Sequence, residues 1–271
     1  MKKVGILYHP KIDAARDFAK ELAQLLPPLD ASPWLCSAWE EESARAQAED
    51  TELIFSVGGD GTILRAARIT IPWDIPIVGI NLGRLGFMTE FSAEEARDKL
   101  PAIIAGEGWI DERAMLQAEF SAKGPFHALN DVVLGRGAIS RLVHVETIID
   151  GALLTTYKVD GVILATATGS TGYSLAAGGP ILYPQSREII LNPICSHPTF
   201  ANALVLPPTT TLELRVRTDH QALLSIDGQI NLALESGDSV RVRLSQHVAR
   251  FLRAKPPSFF YTALMQRLVP K

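Results

Sequence analysis

Cysteine is scarce in this chain of 271 residues: there are two, Cys36 and Cys195, far apart in sequence. Two such residues build no disulfide framework, and a reducing cytoplasm is the expected compartment. Cys195 with His197 would make half a metal site, but no second pair at ligand spacing completes it, so both are read as ordinary side chains. Long apolar runs are missing too. The opening MKKVGILYHP has two lysines, yet its apolar run is far shorter than the core of a secretion signal and ends at His9-Pro10. No stretch reaches the roughly 20 residues that a membrane helix needs. Nor is there a surplus of positive charge: 26 Lys and Arg against 30 Asp and Glu leave a formal net charge of −4, and the basic residues are scattered. Nucleic acid and membrane are therefore not expected as partners, and a small-molecule ligand fits better. An apolar content of 47% supports a real core in one large or two ordinary domains and argues against disorder.

The first hundred residues alternate strand and helix. Val4 to Tyr8 is an unbroken apolar run, as expected of a strand covered on both faces of a parallel sheet. A helix follows, with Asp13 as its expected cap, Phe18, Leu22, Leu25 and Leu26 on one stripe, and Pro27-Pro28 ending it. PWLCSA, an alanine-rich helical stretch from Glu40 to Asp50, ELIFSV, a helix TILRAARI and IPIVGI continue the alternation, a doubly wound α/β pattern. Ser92 and Glu95 form a capping box opening a helix to about Ile104. Beyond Trp109 the helical period fades. RLVHVETIID alternates over Val143, Val145, Thr147 and Ile149 before an Asp150-Gly151 hairpin turn, and TLELRVR and SVRVRL alternate strictly. Ser258 to Leu268 is again amphipathic and helical, with Phe259, Leu264, Met265 and Leu268 as expected buried positions. The expected division is an α/β domain over 1–105, a β-rich, sandwich-like domain over 106–254, and a helix within 255–271 returning to the first.

Two glycine loops follow strands in the first half: SVGGDGT at 56–62 and NLGRLGF at 81–87. In doubly wound sheets ligands sit beyond the carboxyl ends of the strands. There the amides and the positive dipole end of the helix opened by GGDGT suit a phosphate, and Gly58, Gly59, Gly61 and Thr62 are the expected phosphate loop. DGVILATATGSTGYSLAAGGP, 160–180, packs five glycines among small hydroxyl residues. A packed core would not choose that composition, whereas a polar ligand approached by backbone would. Asp150-Gly151 and Asp227-Gly228 are read first as hairpin turns. The chain has no G-x-x-x-x-G-K-[ST], no G-x-G-x-x-G opening a helix after its first strand, no G-x-S-x-G and no H-E-x-x-H, which takes most of the support from the P-loop, dehydrogenase and serine hydrolase readings.

GGDGT at 58–62, NLGRLGF at 81–87, LNDVVL at 129–134 and DGVILATATGSTGYSLAAGGPI at 160–181 occur in the order seen in NAD kinases, and the chain resembles that family from its first strand to about residue 230. The resemblance implies transfer of the terminal phosphoryl group of ATP to the 2′-hydroxyl of the adenosine ribose of NAD, giving NADP. It also implies a divalent ion such as magnesium, an α/β domain and a β-sandwich domain with the active site between them, and assembly as dimers or tetramers. By the same resemblance Asp60 is the catalytic base, with Gly61 beside it at the NAD ribose. Asn130 and Asp131 match the pair that grips NAD. Arg141, Lys158 and Asp160 are further contacts, Thr171, Gly172, Tyr173, Ser174, Leu175 and Ala176 form the adenine and ribose stretch, Gln229 is a late contact, and Arg65 is a weaker match. Three positions depart from the pattern. Asp131 stands where the family more often has Glu, Ala167 replaces a proline and Gly172 an alanine, and the last two are expected to loosen their loop.

Phosphoryl transfer asks a protein mainly to position donor and acceptor and to offset charge, which a glycine loop suits. Asp60 would accept the ribose proton, or hold the metal; the sequence leaves both open. GGDGT also occurs in diacylglycerol-type lipid kinases, but these need a G-T-x-N-D motif where Gly79 to Phe87 reads GINLGRLGF. A module that only binds the dinucleotide would gain nothing from a carboxylate among phosphates.

Overall fold

The computed structural model describes residues 1–83, 86–120, 123–137, 141–194, 202–218 and 220–268; Cys195 and His197, and Arg84 and Leu85 of the second glycine loop, lie outside them. The chain divides into two compact units, Met1–Glu112 with Ala249–Lys271, and Arg113–Val248.

The first unit is doubly wound α/β. It runs β1 (Lys2–Tyr8), α1 (Asp13–Leu25), β2 (Ala31–Ser37), α2 (Glu41–Ala48), β3 (Leu53–Val57), α3 (Asp60–Thr70), β4 (Ile77–Asn81), β5 (Phe91–Ser92) and α4 (Ala93–Ala105). The strands pair in parallel in the order β2-β1-β3-β4, with β5 beside β4. Crossover helices cover both faces, so β3 and β4 are buried at every residue. Val4, Ile6, Phe55, Val57, Val78 and Ile80 form one core with Phe18 and Leu22 of α1 and Leu100 and Ile103 of α4. The alternate residues Leu7, Ile54 and Ile77 are equally buried on the face that carries α2 and α3. The chain leaves β1 toward β2 on one side and toward β3 on the other, so the order reverses between β1 and β3, and the first glycine loop sits there.

The expected helix ends need correction. Asp13 is the first residue of α1 rather than its cap; Ile12 holds the cap position and makes no side-chain cap bond. Leu25 is exposed while Phe18, Leu22 and Leu26 are buried, because at 100° per residue it falls at the edge of the stripe that Ala15, Phe18, Ala19 and Leu22 bury. The capping box at Ser92 and Glu95 is present in both directions.

The second unit holds β6 (Trp109–Phe120, entered from the first unit), β7 (Lys123–Ala128), β8 (Asp131–Arg136), β9 (Val143–Ile149), β10 (Ala152–Val159), β11 (Gly161–Ala165), α5 (Tyr173–Ala176), β12 (Ile189–Ile194), β13 (Leu204–Leu206), β14 (Leu212–Val216), β15 (Ala222–Ile226), β16 (Ile230–Leu234) and most of β17 (Ser239–Arg253). One sheet runs β10-β9-β14-β17 with β6 and β7 attached, the other β13-β12-β11-β8-β15-β16. Alternate residues of both, among them Val143, Val145, Leu212, Leu214, Val240 and Val242 from the first and Val132, Leu134, Val162, Leu164, Leu224 and Ile226 from the second, share one core, which makes the unit a β-sandwich. The hairpin between β9 and β10 turns through Asp150 and Gly151, both at positive φ. Strand β11 is buried at every residue, since Ile163 and Ala165 on its other face pack with Ala177 and Leu182 of the long glycine-rich stretch.

Strand β17 ends in the α/β unit, where Phe251 pairs in parallel with Ile77, and α6 (Phe259–Leu268) follows in that unit. Among its described side chains the buried one is Ala263; Met265 is 59% exposed, and Phe259 and Leu264 are half-buried. The side chain of Leu268 lies outside the described residues.

Candidate functional site

In the α/β unit each of the loop's first three residues has its own reason. Gly58 has φ +154°, and a Cβ there would meet the Thr62 hydroxyl, so only glycine fits. Gly59 caps α3 without a side chain of its own, and neither it nor Gly61 has protein within 4 Å of where a Cβ would stand. These two face open space. Asp60 opens α3, and its carboxylate accepts the Phe87 amide at 2.9 Å and the Met88 amide at 3.2 Å. The second glycine loop is thereby tied to the first. Gly86 is obligatory for that tie, because a Cβ there would collide with Asp60 Oδ1.

Two amides of the expected phosphate loop already have partners within the protein. The Gly58 amide donates to the Ile80 carbonyl at 2.9 Å, and the Thr62 amide to the Gly59 carbonyl at 2.9 Å; strand pairing and helix start claim them first. The Thr62 hydroxyl is buried and has no hydrogen-bond partner among the described residues. At the same rim the Arg65 guanidinium lies 4.2 Å over the Trp39 ring, which meets His9 edge-on at 4.5 Å. Burial, then the nearby Arg68 charge, lowers the Arg65 pKa. Burial likewise lowers that of His9.

In the β unit three segments gather at one end of the second sheet: Asn130 with Asp131 at the start of β8, the β15–β16 turn with Asp227 and Gln229, and the stretch after β11. The Thr166 amide donates to the Asn130 carbonyl at 2.9 Å and the Thr166 hydroxyl to the Leu129 carbonyl at 2.6 Å. Asp227 and Gly228 do form a hairpin turn, both at positive φ. The Asp227 carboxylate does more, accepting the amides of Leu129, Asn130 and Asp131 at 3.0, 2.8 and 3.1 Å. Sequence reasoning assigned Asp227 to the turn and missed this role; the positive φ explained the residue fully, and nothing local pointed to amides nearly a hundred positions away. Asp131 is 6% exposed, and its carboxylate takes no hydrogen bond from a described residue. Burial, and secondly the Asp227 charge, push its pKa from 3.8 up to about 7.

The long stretch is pinned, contrary to the expected loosening. Ala167 is buried, the Ser170 hydroxyl donates to the Ala167 carbonyl at 2.6 Å and accepts the Leu182 amide at 3.0 Å, and the Thr171 hydroxyl donates to the Thr168 carbonyl at 3.1 Å. These hydroxyls brace the loop itself. Asn192 holds the Ser174 carbonyl at 3.0 Å from beneath, leaving Thr171, Gly172 and Leu175 half-buried and Tyr173 and Ala176 exposed.

Not every expected contact joins this group. Gly161 pairs with Gly135 and Ala165 with Asp131, so Asp160 lies at the far end of β11, roughly 15 Å away at about 3.3 Å per residue. There it pairs with Arg136 at 2.9 Å. Lys158 is exposed on β10, flanked by buried Tyr157 and Val159, and Arg141 is exposed just before β9.

A carboxylate held in a glycine loop at the switch point of a doubly wound sheet marks a nucleotide-binding phosphotransferase. Residues 13–108 match the ATP-NAD kinase N-terminal domain and residues 129–254 the ATP-NAD kinase C-terminal domain. The chain is 47% identical to the NAD kinase of Dehalococcoides mccartyi (strain CBDB1) over 98% of its own length and 96% of that protein's. It is 41% identical to the NAD kinase of Chloroflexus aggregans (strain MD-66 / DSM 9485), over 99% of each. Two solved structures are similar: yeast NADH kinase complexed with NADH (TM-score 0.87, 25% identity, 99% of this chain and 87% of that one) and an NAD kinase from Archaeoglobus fulgidus in complex with ATP (0.79, 26%, 97% and 99%). The chain belongs to the ATP-NAD kinase family.

Proposed function

We propose that Asp60 is the base that receives the proton of the adenosine ribose 2′-hydroxyl of NAD as the terminal phosphoryl group of ATP is transferred to it, giving NADP and ADP. The chain is a kinase that phosphorylates NAD with ATP. The observation that carries Asp60's role is its carboxylate, fixed through both oxygens by the Phe87 and Met88 amides. Two amides set its direction, so it needs no reorganisation when the hydroxyl arrives. Gly59 and Gly61 face open space beside it, which suits donor phosphates approaching backbone. Thr62, with its orphaned hydroxyl, suits a contact to them. Asn130, Asp131, Thr171 to Ala176 and Gln229 hold NAD in this reading, braced from behind by Asp227.

Among the described residues no three His, Cys, Asp or Glu side chains are grouped to hold a metal. A divalent ion, magnesium in this reading, would be carried by the donor phosphates. When bound, it neutralises phosphate charge. No helix of the described residues is long and apolar enough to cross a membrane. A cytoplasmic setting rests on the sparse cysteines, and assembly as dimers or tetramers is supported by Leu153 and Leu154, exposed on the edge strand β10.

The test is Asp60→Asn, which keeps the side chain's size but removes the proton acceptor and sets an NH2 group against one of the Phe87 and Met88 amides. The expected result is a fall in kcat on the order of 10²- to 10⁴-fold with NAD affinity little changed. A loss under about threefold would show a turn residue only.

A further inference from the structure

Behind the Asp60 loop lies a charge cluster that the reaction does not explain. Arg253, Glu90 and Asp111 are all buried. The Arg253 guanidinium donates to the Met88 carbonyl at 2.7 Å, to Glu90 Oε2 at 3.3 Å and to Asp111 Oδ2 at 3.2 Å. Glu90 Oε1 accepts the amides of Ala254 at 3.0 Å and Lys255 at 2.7 Å, and the Lys255 ammonium returns to the Glu90 carbonyl at 2.6 Å. Burying three charges is costly, and well-packed apolar residues would hold two segments together as firmly. An arginine fork does what they cannot: it fixes the direction of one carbonyl. That carbonyl belongs to Met88, whose own amide donates to Asp60.

We infer that Arg253 is a positioning residue for the reaction: it fixes the Met88–Thr89 peptide plane, which adjoins at the Met88 Cα the Phe87–Met88 plane whose amide meets Asp60, and so limits how far the Phe87 and Met88 amides can swing from the carboxylate. The inference rests on the reading of Asp60 as the base. Residues 86–88 lie outside any helix or strand, so no ladder of backbone bonds holds their peptide planes. The Thr89 hydroxyl steadies the Gly86 end by accepting the Gly86 amide at 2.6 Å, and Arg253 steadies the Met88 end. If the Met88 carbonyl is released, the Met88–Thr89 plane is free to turn, the dihedral angles at the Met88 Cα relax, and the adjoining Phe87–Met88 plane can carry its amide away from Asp60. A displacement of about 1 Å at such a group costs up to ~10²-fold in rate.

The test uses the full-length protein and Arg253→Lys, which keeps a cation between Glu90 and Asp111 but loses the fork. The expected result is a fall in kcat of roughly tenfold with the KM for NAD within about twofold, and faster hydrogen exchange at the Phe87 and Met88 amides with Ile6 and Phe55 unchanged. In an Asp60→Asn background the same substitution should change kcat by less than about twofold, since there is no carboxylate left to aim. Should Arg253→Lys not fold, Arg253→Met with Asp111→Asn replaces it, because the Glu90 carboxylate retains its two backbone amides. Equal losses with and without the Asp60 carboxylate, or a lower melting temperature with kcat unchanged, would overturn the inference and make the cluster purely structural. Normal turnover in Asp60→Asn alone would remove the reading of Asp60 instead, and the inference with it, even if exchange at Phe87 and Met88 still responded.

Discussion

Asp131 should make this protein less stable as the pH rises from 3.8 to about 7, and Asp131→Asn should remove the effect. The carboxyl is 6% exposed with the Asp227 carboxylate close by, and its pKa rises from 3.8 to about 7. In the unfolded chain the proton leaves near 3.8; in the folded one it stays until about 7. Between those values the folded state holds the extra proton, so stability is at its full value below pH 3.8 and falls as the pH climbs to about 7. At about 1.4 kcal/mol for each pH unit between the two values, the whole window amounts to an upper bound of ~4 kcal/mol. The amide introduced by Asp131→Asn has the same shape and never ionises. Urea unfolding followed by circular dichroism, for both proteins from about pH 4 to pH 8, isolates the difference, because titrating groups remote from Asp131 cancel. The variant should match the wild type near pH 4 and exceed it by roughly 2–4 kcal/mol near pH 8, while binding NAD more weakly. Parallel stability curves would refute the argument, showing that Asp131 is ionised in the folded protein throughout.

Asp227→Asn sets an NH2 group against backbone amides that now meet a carboxylate; it should destabilise by about 2 kcal/mol and raise the KM for NAD more than it lowers kcat, measured by melting and steady-state kinetics. Gly86→Ala pushes a methyl group into Asp60 Oδ1 and should lower kcat by at least about tenfold at nearly constant NAD affinity, measured by calorimetry and turnover. Exhaustive chelation should stop NADP formation, and added magnesium should restore it; full activity in chelator would contradict the metal requirement.

The α/β unit was legible because parallel strands covered on both sides announce themselves as continuous apolar runs, as in β3 and β4, and because the Ser92 and Glu95 capping box is a local pattern. Glycine loops were legible for a similar reason: Gly58 and Gly86 answer to contacts that permit no side chain. Helix ends were less so. Hydropathy at Leu25 and Met265 promised burial, but the exposure of Leu25 at the edge of its stripe and the choice of Ala263 as an inward residue of α6 are settled by packing. Asp227 and Arg253 were hidden for a different reason. Each acts on backbone atoms, Asp227 at 96 to 98 positions and Arg253 at 165 positions along the chain. Backbone carries no residue identity, so such partners leave no complementary signal in the sequence. The resemblance supplied Asn130, Asp131 and Thr171 to Ala176, but it could not foretell that Asp160 stands at the other end of β11.

The α/β unit is completed by residues 249–271, which follow the entire β unit in the chain. A ribosome making this protein from its amino end releases Glu90 and Asp111 long before it reaches Arg253. Until then the two carboxylates have no guanidinium to meet, and Ile77 of β4 has no Phe251 beside it. The nascent amino-terminal segment must therefore wait, with one sheet edge open, while the β-sandwich is synthesised and free to fold on its own. Order of completion thus runs opposite to order of first appearance: the second unit has all its residues before the first does.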